Sequence, residues 1–220
     1  MKLTVFNGSP RGKGSNSKVL LDRFLEGFGA TPGNSHEVFY LNRTKQMERA
    51  VEAFAEAEHV VIAFPLYADA MPGQVMAFIE SLEPLCGREG NPDIGFIVQS
   101  GFLEALRFRG LERYLEKLSA RLGCRYVGTI IKGSCEAARL YPQMFRKLFA
   151  ALTQLGKTYA ETGQYDQALI QKLAKPERFS KLAAHFWQWM YKSSFARGYF
   201  DRQLKENGAH EQRFARPYAE

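Results

Sequence analysis

The chain has 220 residues, 45% apolar and 24% charged, enough for one sizeable α/β domain with a real core and unlike a disordered or fibrous chain. Thirty Lys and Arg against 23 Asp and Glu leave a formal charge of +7, which suits anionic ligands. The cations are spread, 22 in residues 1–175 and eight in 176–220, so no basic block marks a nucleic-acid groove.

The three cysteines, Cys86, Cys124 and Cys135, contain no C-x-x-C pair. They indicate no disulfide framework and no zinc or iron–sulfur site, and they fit a reducing cytoplasm. The opening "MKLTVFNGSP" is too short in apolar residues for a signal peptide, and no run approaches the roughly 18 apolar residues of a membrane span. His36, His59, His185 and His210 are scattered without metal-ligand spacing, so no metal site is expected.

In chain order, five apolar or β-branched runs read as strands: "LTVF" (3–6), "EVFYL" (37–41), "VVIAF" (60–64), "IGFIV" (94–98) and "YVGTII" (126–131). Between them lie segments of helical period, carried by Leu20, Leu21, Phe24 and Phe28, by Val51 and Phe54, by Val75, Phe78 and Leu82, and by Leu111, Leu115 and Leu118. Strands alternating with amphipathic helices predict βαβ units and a parallel sheet covered on both faces. The third and fourth strands, almost wholly apolar, belong in its interior. A further helix over 145–163 completes the domain.

Beyond it the composition changes. Residues 176–200 hold Phe179, Phe186, Trp187, Trp189, Tyr191, Phe195, Tyr199 and Phe200, and Phe179, Leu182, Ala183, Phe186 and Met190 keep a helical stripe. We therefore expect a domain over 1–165 and an aromatic-rich helical extension over 166–220. Three uses fit that extension: packing on its own domain, a dimer contact, or a membrane surface. Trp and Tyr enrichment favours an interface.

The stretch "FNGSPRGKGSNSKVLL" (6–21) joins the first strand to its helix. A helix beginning near Ser17 points unpaired N–H groups and a positive dipole end into this loop, which favours an anion such as phosphate. A Walker loop needs G-x-x-x-x-G-K-[ST], but three residues separate Gly8 from Gly12, and Lys13 precedes Gly14 rather than a hydroxyl. A dinucleotide loop needs G-x-G-x-x-G and an acidic residue after the second strand, where this chain has Asn42 and Arg43.

"NGSPRGKGSNS" strongly resembles the phosphate loop of the NADPH-dependent FMN reductases and NAD(P)H oxidoreductases. "FPLYADAMPGQVMAFIE" (64–80) is similar to that family's second loop, and "VQSGFLEA" (98–105) falls where its third lies. The resemblance covers about residues 1–160 and implies a flavodoxin-like three-layer sandwich with five parallel strands in the order 2-1-3-4-5. It implies FMN as cofactor, NADPH or NADH as transient co-substrate, and a small-molecule electron acceptor such as a quinone or flavin. By matched position, Ser9, Pro10, Arg11, Ser15, Asn16 and Ser17 would hold the phosphate. Pro65, Leu66, Tyr67 and Ala68 would line the ring, and Ser100, Gly101 and Phe102 would close the other side.

Plainer uses stand beside these: Arg11 and Lys13 as solvated cations, Tyr67 as core edge, Phe102 as a helix cap. The cysteine cluster of iron–sulfur relatives is absent after the second strand, so electrons would pass through flavin alone. No protein acid or base is obligatory, and no catalytic side chain is expected. The resemblance implies a cytoplasmic enzyme, and the extension suggests a homodimer. A flavodoxin-type carrier that binds FMN without oxidising pyridine nucleotide is the alternative. The +7 charge speaks against it, because a carrier docking on basic partners gains from an acidic surface.

Overall fold

The computed structural model describes residues 1–216, and the side chains of Tyr191, Ser194, Phe195, Ala196, Arg197 and Tyr199 lie outside the described residues. Of the aromatic residues expected in the extension, Tyr191, Phe195 and Tyr199 therefore lie outside the described residues. Five strands, β1 (Lys2–Asn7), β2 (Ser35–Tyr40), β3 (His59–Pro65), β4 (Asp93–Gln99) and β5 (Tyr126–Lys132), pair in parallel in the order β2-β1-β3-β4-β5. This is the flavodoxin-like order. β3 and β4 are buried at every position after their first residue, as their apolar runs predict for interior strands.

The two faces are covered unequally. α1 (Asn16–Gly29) and α5 (Arg146–Thr162) bury Leu20, Phe24, Phe28, Leu152 and Tyr159 against Leu3, Val5 and Val61 on one side. α2 (Met47–Ala55), α3 (Gly73–Ser81) and α4 (Arg109–Leu122) bury Phe54, Phe78 and Leu115 against Phe6, Ile62 and Phe96 on the other. α1 and α5 approach closely: a Cβ on Gly27 would lie 1.8 Å from the Thr153 carbonyl oxygen, and one on Gly156 would lie 1.9 Å from that of Phe24.

α6 (Gln167–Ala174), which the sequence pattern does not single out, packs against β5. Tyr165 leads into it, its ring seated over Gly95, where an added Cβ would lie 2.3 Å from the Tyr165 hydroxyl. The chain divides into two compact units, Met1–Arg178 and Phe179–Glu220. In the second, Ser180 caps α7 (Lys181–Tyr191) by accepting the Ala183 N–H, and α7 packs on α8 (Ser194–Glu206). Leu182, Phe186 and Trp189, spaced along one face of α7, are exposed. Among the described residues no helix is long and apolar enough to cross a membrane.

Strand order decides where a site opens. From β1 the chain passes to β2 on one side and later to β3 on the other, so the loops following β1 and β3 part at the carboxyl edge and leave a crevice between them.

Candidate functional site

The loop after β1 is fastened from beneath. The buried Asn7 accepts the Ser9 N–H on its side-chain oxygen at 3.0 Å, and the Gly8 N–H donates to the Ala63 carbonyl at 2.8 Å. Gln74, at the start of α3, donates to the Gly8 carbonyl at 2.9 Å. Gly12 turns the chain at φ +52°, with the Asn42 amide 2.6 Å from where a Cβ would stand, so only glycine suits this point.

Ser15 then caps α1. Its hydroxyl accepts the Lys18 N–H at 3.1 Å and donates to the Gly12 carbonyl at 2.7 Å. The amides of Asn16 and Ser17 open the helix, where no intrahelical carbonyl reaches them, and the first turn carries no acidic residue. Amides, hydroxyls and the positive helix end together favour an anion.

The loop after β3 makes a two-residue turn. Tyr67 and Ala70 exchange main-chain hydrogen bonds at 3.0 and 2.9 Å, with Ala68 at φ +47° and Asp69 at φ +63°. Two left-handed central residues define a type I′ turn, and the alanine there costs about 1 kcal/mol. After β4, the Ser100 hydroxyl accepts the Phe102 N–H at 3.0 Å. The Ser134 and Cys135 N–H groups donate to the Phe102 and Ser100 carbonyls, each at 2.8 Å. Asn16 then ties this pair of loops to α1, donating to the Glu136 carbonyl at 2.9 Å and accepting the Arg139 N–H at 3.0 Å.

These loops bound a pocket of about 400 Å³, within the roughly 300–1,000 Å³ of small-molecule sites. Eleven of the thirteen residues named from the sequence line it. Ser9, Arg11, Ser15 and Asn16 form one end, while Pro65, Leu66, Tyr67 and Ala68 meet Ser100, Gly101 and Phe102 at the other. Tyr67 and Phe102 are 47% and 39% exposed, leaving aromatic surface open.

Pro10 and Ser17 do not line the pocket. Pro10 is exposed and its carbonyl takes the Asn42 amide at 3.3 Å; Ser17 is buried, its hydroxyl accepting from the Gln99 side chain at 3.3 Å. Two lining residues, Gln99 and Glu136, escaped the sequence reading. A polar residue ending the apolar run of β4 was the signal for Gln99. Nothing local marks Glu136, which reaches the site from the loop after β5. Beneath that loop Cys135 is fully buried, which pushes its thiol up to about 12 and makes it a neutral packing group.

These features define a flavodoxin-like α/β fold with a ligand pocket at the carboxyl edge of its sheet. The family model described as the flavodoxin-like fold matches residues 1–82, through the end of α3. Among solved structures, the chain is similar to an FMN-dependent NADH-azoreductase from Bacillus anthracis str. Ames Ancestor, in complex with FMN. That likeness has a TM-score of 0.57 and 14% identity, over 73% of this chain and 100% of that one.

An NADH:FMN oxidoreductase in its apo form gives a TM-score of 0.58 at 15% identity, over 80% of this chain and 96% of that one. An NAD(P)H:quinone oxidoreductase from Methanothermobacter marburgensis gives 0.56 at 14%, over 76% and 98%. A search of curated proteins finds no match. At such identities the likeness establishes the fold, and both comparisons agree with the fold that the resemblance implied.

Proposed function

We propose that the protein is an FMN-dependent NAD(P)H oxidoreductase acting on a small acceptor. The observation that carries this reading is a single pocket joining an anion-binding end to an open aromatic shelf. The fit to FMN rests on the donor set: the Ser9 hydroxyl, the Arg11 guanidinium and the helix-opening Asn16 all belong to residues that line the pocket, with no carboxylate in the first turn of α1. The Asn7 side-chain nitrogen, buried beneath the same loop, is a further donor without a protein partner.

Ser9, Arg11, Ser15 and the amides of Asn16 and Ser17 would hold the phosphate. Pro65, Leu66, Tyr67, Ala68, Ser100, Gly101 and Phe102 would hold and orient the ring. Bound there, FMN would supply two-electron hydride chemistry between NADH or NADPH and a quinone, a flavin or a similar acceptor. The chain's own contribution is to bind, orient and partly shield. In the same reading the enzyme is cytoplasmic and forms a homodimer through its C-terminal helices, supported by the exposed apolar face of α7.

The test is to reconstitute the protein with FMN and mix it anaerobically with NADPH and NADH in turn. Uptake followed by bleaching is expected. Uptake without bleaching would favour the flavodoxin-type electron carrier, and no uptake would overturn the flavin reading.

A further inference from the structure

We propose that Glu177 is a positioning residue for the pocket: together with Pro176 it straps down the loop after β4 and so holds that loop in its ligand-binding shape. The inference rests on the flavin reading above. After giving Ser100, Gly101 and Phe102 to the pocket, the loop turns into the 3-10 segment Ala105–Phe108 ahead of α4.

The first amides of such a turn find no carbonyl inside it. Ala105 is 1% exposed, so its N–H must be met by the protein. The Pro176 carbonyl meets it at 2.9 Å, and the Glu177 carbonyl accepts the Leu106 N–H at 3.1 Å. The Glu177 carboxylate then takes the Arg109 guanidinium, at the start of α4, in a bidentate contact of 2.6 to 3.2 Å. One residue thus fastens the turn by its main chain and the following helix by its side chain.

The strap is itself anchored. Lys132, ending β5, donates to the Leu173 carbonyl at 3.3 Å, and Ala174 shares an apolar cluster with Ala105 and Phe108. The pocket end of the loop rests on Gly133, where an added Cβ would lie 2.3 Å from the Phe102 carbonyl oxygen. Arg107 adds only an exposed contact with Asp69 at 3.3 Å, which contributes little. The loop is therefore caught between the segment after β5 and the strap, and a ligand meets it already ordered. Without the strap the ligand would have to order residues 103–108 itself, and affinity would fall.

The experiment uses the full chain in four forms: wild type, Glu112→Gln, Glu112→Gln with Glu177→Arg, and that pair with Arg109→Glu added. Glu112 also holds Arg109, but from within α4, so its replacement leaves the strap in place and removes the repulsion it would exert on a carboxylate at position 109. Two readouts are taken where every form is folded: amide-resolved hydrogen exchange at Ala105 and Leu106 without ligand, and the Kd values for FMN and riboflavin from fluorescence quenching. Glu112→Gln should match wild type. Adding Glu177→Arg should speed exchange and weaken both flavins about tenfold, since the loop borders the ring end that the two ligands share. Restoring an opposite pair with Arg109→Glu should bring both readouts back to within about threefold of wild type.

Faster exchange with unchanged Kd values would show a strap that fastens without positioning, and the proposal would fall. It falls equally if neither readout moves, if the restored pair fails to recover affinity, or if FMN weakens while riboflavin does not. A wild type that binds neither flavin overturns the flavin reading itself and this inference with it.

Discussion

The side chain of Asn16, first residue of α1, donates to the main-chain carbonyl of Glu136 at 2.9 Å across 120 positions of sequence. With its oxygen also accepting the Arg139 N–H, the amide is spent on joining two loops, and Asn16 offers the ligand its backbone N–H. Asn16→Asp keeps the shape and the acceptor, removes the donor, and places a negative charge at the anion end. FMN affinity should fall about 30-fold, corresponding to about 2 kcal/mol for a lost donor and an added repulsion. A fluorescence titration checks this, and riboflavin, which lacks the phosphate, should lose less.

Gly27 and Gly156 set the distance between α1 and α5. A methyl group at either meets a main-chain oxygen that cannot swing aside, so Gly156→Ala should cost about 3 kcal/mol, outweighing the roughly 1 kcal/mol helix preference of alanine. For a chain of this size that lowers Tm by roughly 6–12 °C in calorimetry. Gly29→Ala, with nothing within 4 Å, should show no loss.

Arg109 hydrogen-bonds Glu177 and holds its carboxyl below the ordinary range, while its own guanidinium is raised chiefly by the same contact. Because the folded value of Glu177 is depressed, its contribution is complete above an unfolded value of about 4.3 and disappears as pH falls through the folded one. Glu177 is half exposed, so the contribution is at most about 1 kcal/mol. Glu177→Gln should therefore unfold at lower denaturant than wild type at neutral pH. The gap should close as pH falls through the depressed folded value of Glu177.

Thiol reactivity should separate the three cysteines. Cys86 is exposed, whereas burial raises Cys124 to about 11 and Cys135 to about 12. At pH 8 a thiol reagent should label one site quickly, with the other two following global unfolding, as mass spectrometry of timed samples would show. Fast labelling of Cys135 would contradict its burial.

The dimer reading is tested by a cut after Arg178. Pro176 and Glu177 accept the Ala105 and Leu106 N–H groups through their carbonyls, so they belong to the first unit and should be kept. Removing residues 179–220 should halve the solution mass measured by light scattering; an unchanged mass would rule out an interface built by the C-terminal helices.

Local features carried most of what the sequence disclosed. Five apolar runs separated by helical period gave the five strands in place, and "GSPRGKGSNS" marked the loop proposed to hold the phosphate, because such a loop is built from consecutive amides and a helix start. α6 was not legible, since its reason for packing is the absence of a side chain on Gly95, seventy residues before Tyr165. The break between α7 and α8 left no glycine or proline to announce it.

By itself, then, the sequence determined the alternation of strands and helices, the loop between β1 and α1, and the aromatic residues that follow β3 and β4. Each depends on neighbours in the chain. Only the tertiary structure decided that Pro10 faces outward and Ser17 lies beneath the loop, that Asn16 is bound to the segment after β5, that Glu136 enters the pocket, and that Arg107 faces Asp69. Those assignments follow from the order in which the strands lie side by side, which brings distant loops to one edge of the sheet and so selects which side chains must satisfy one another.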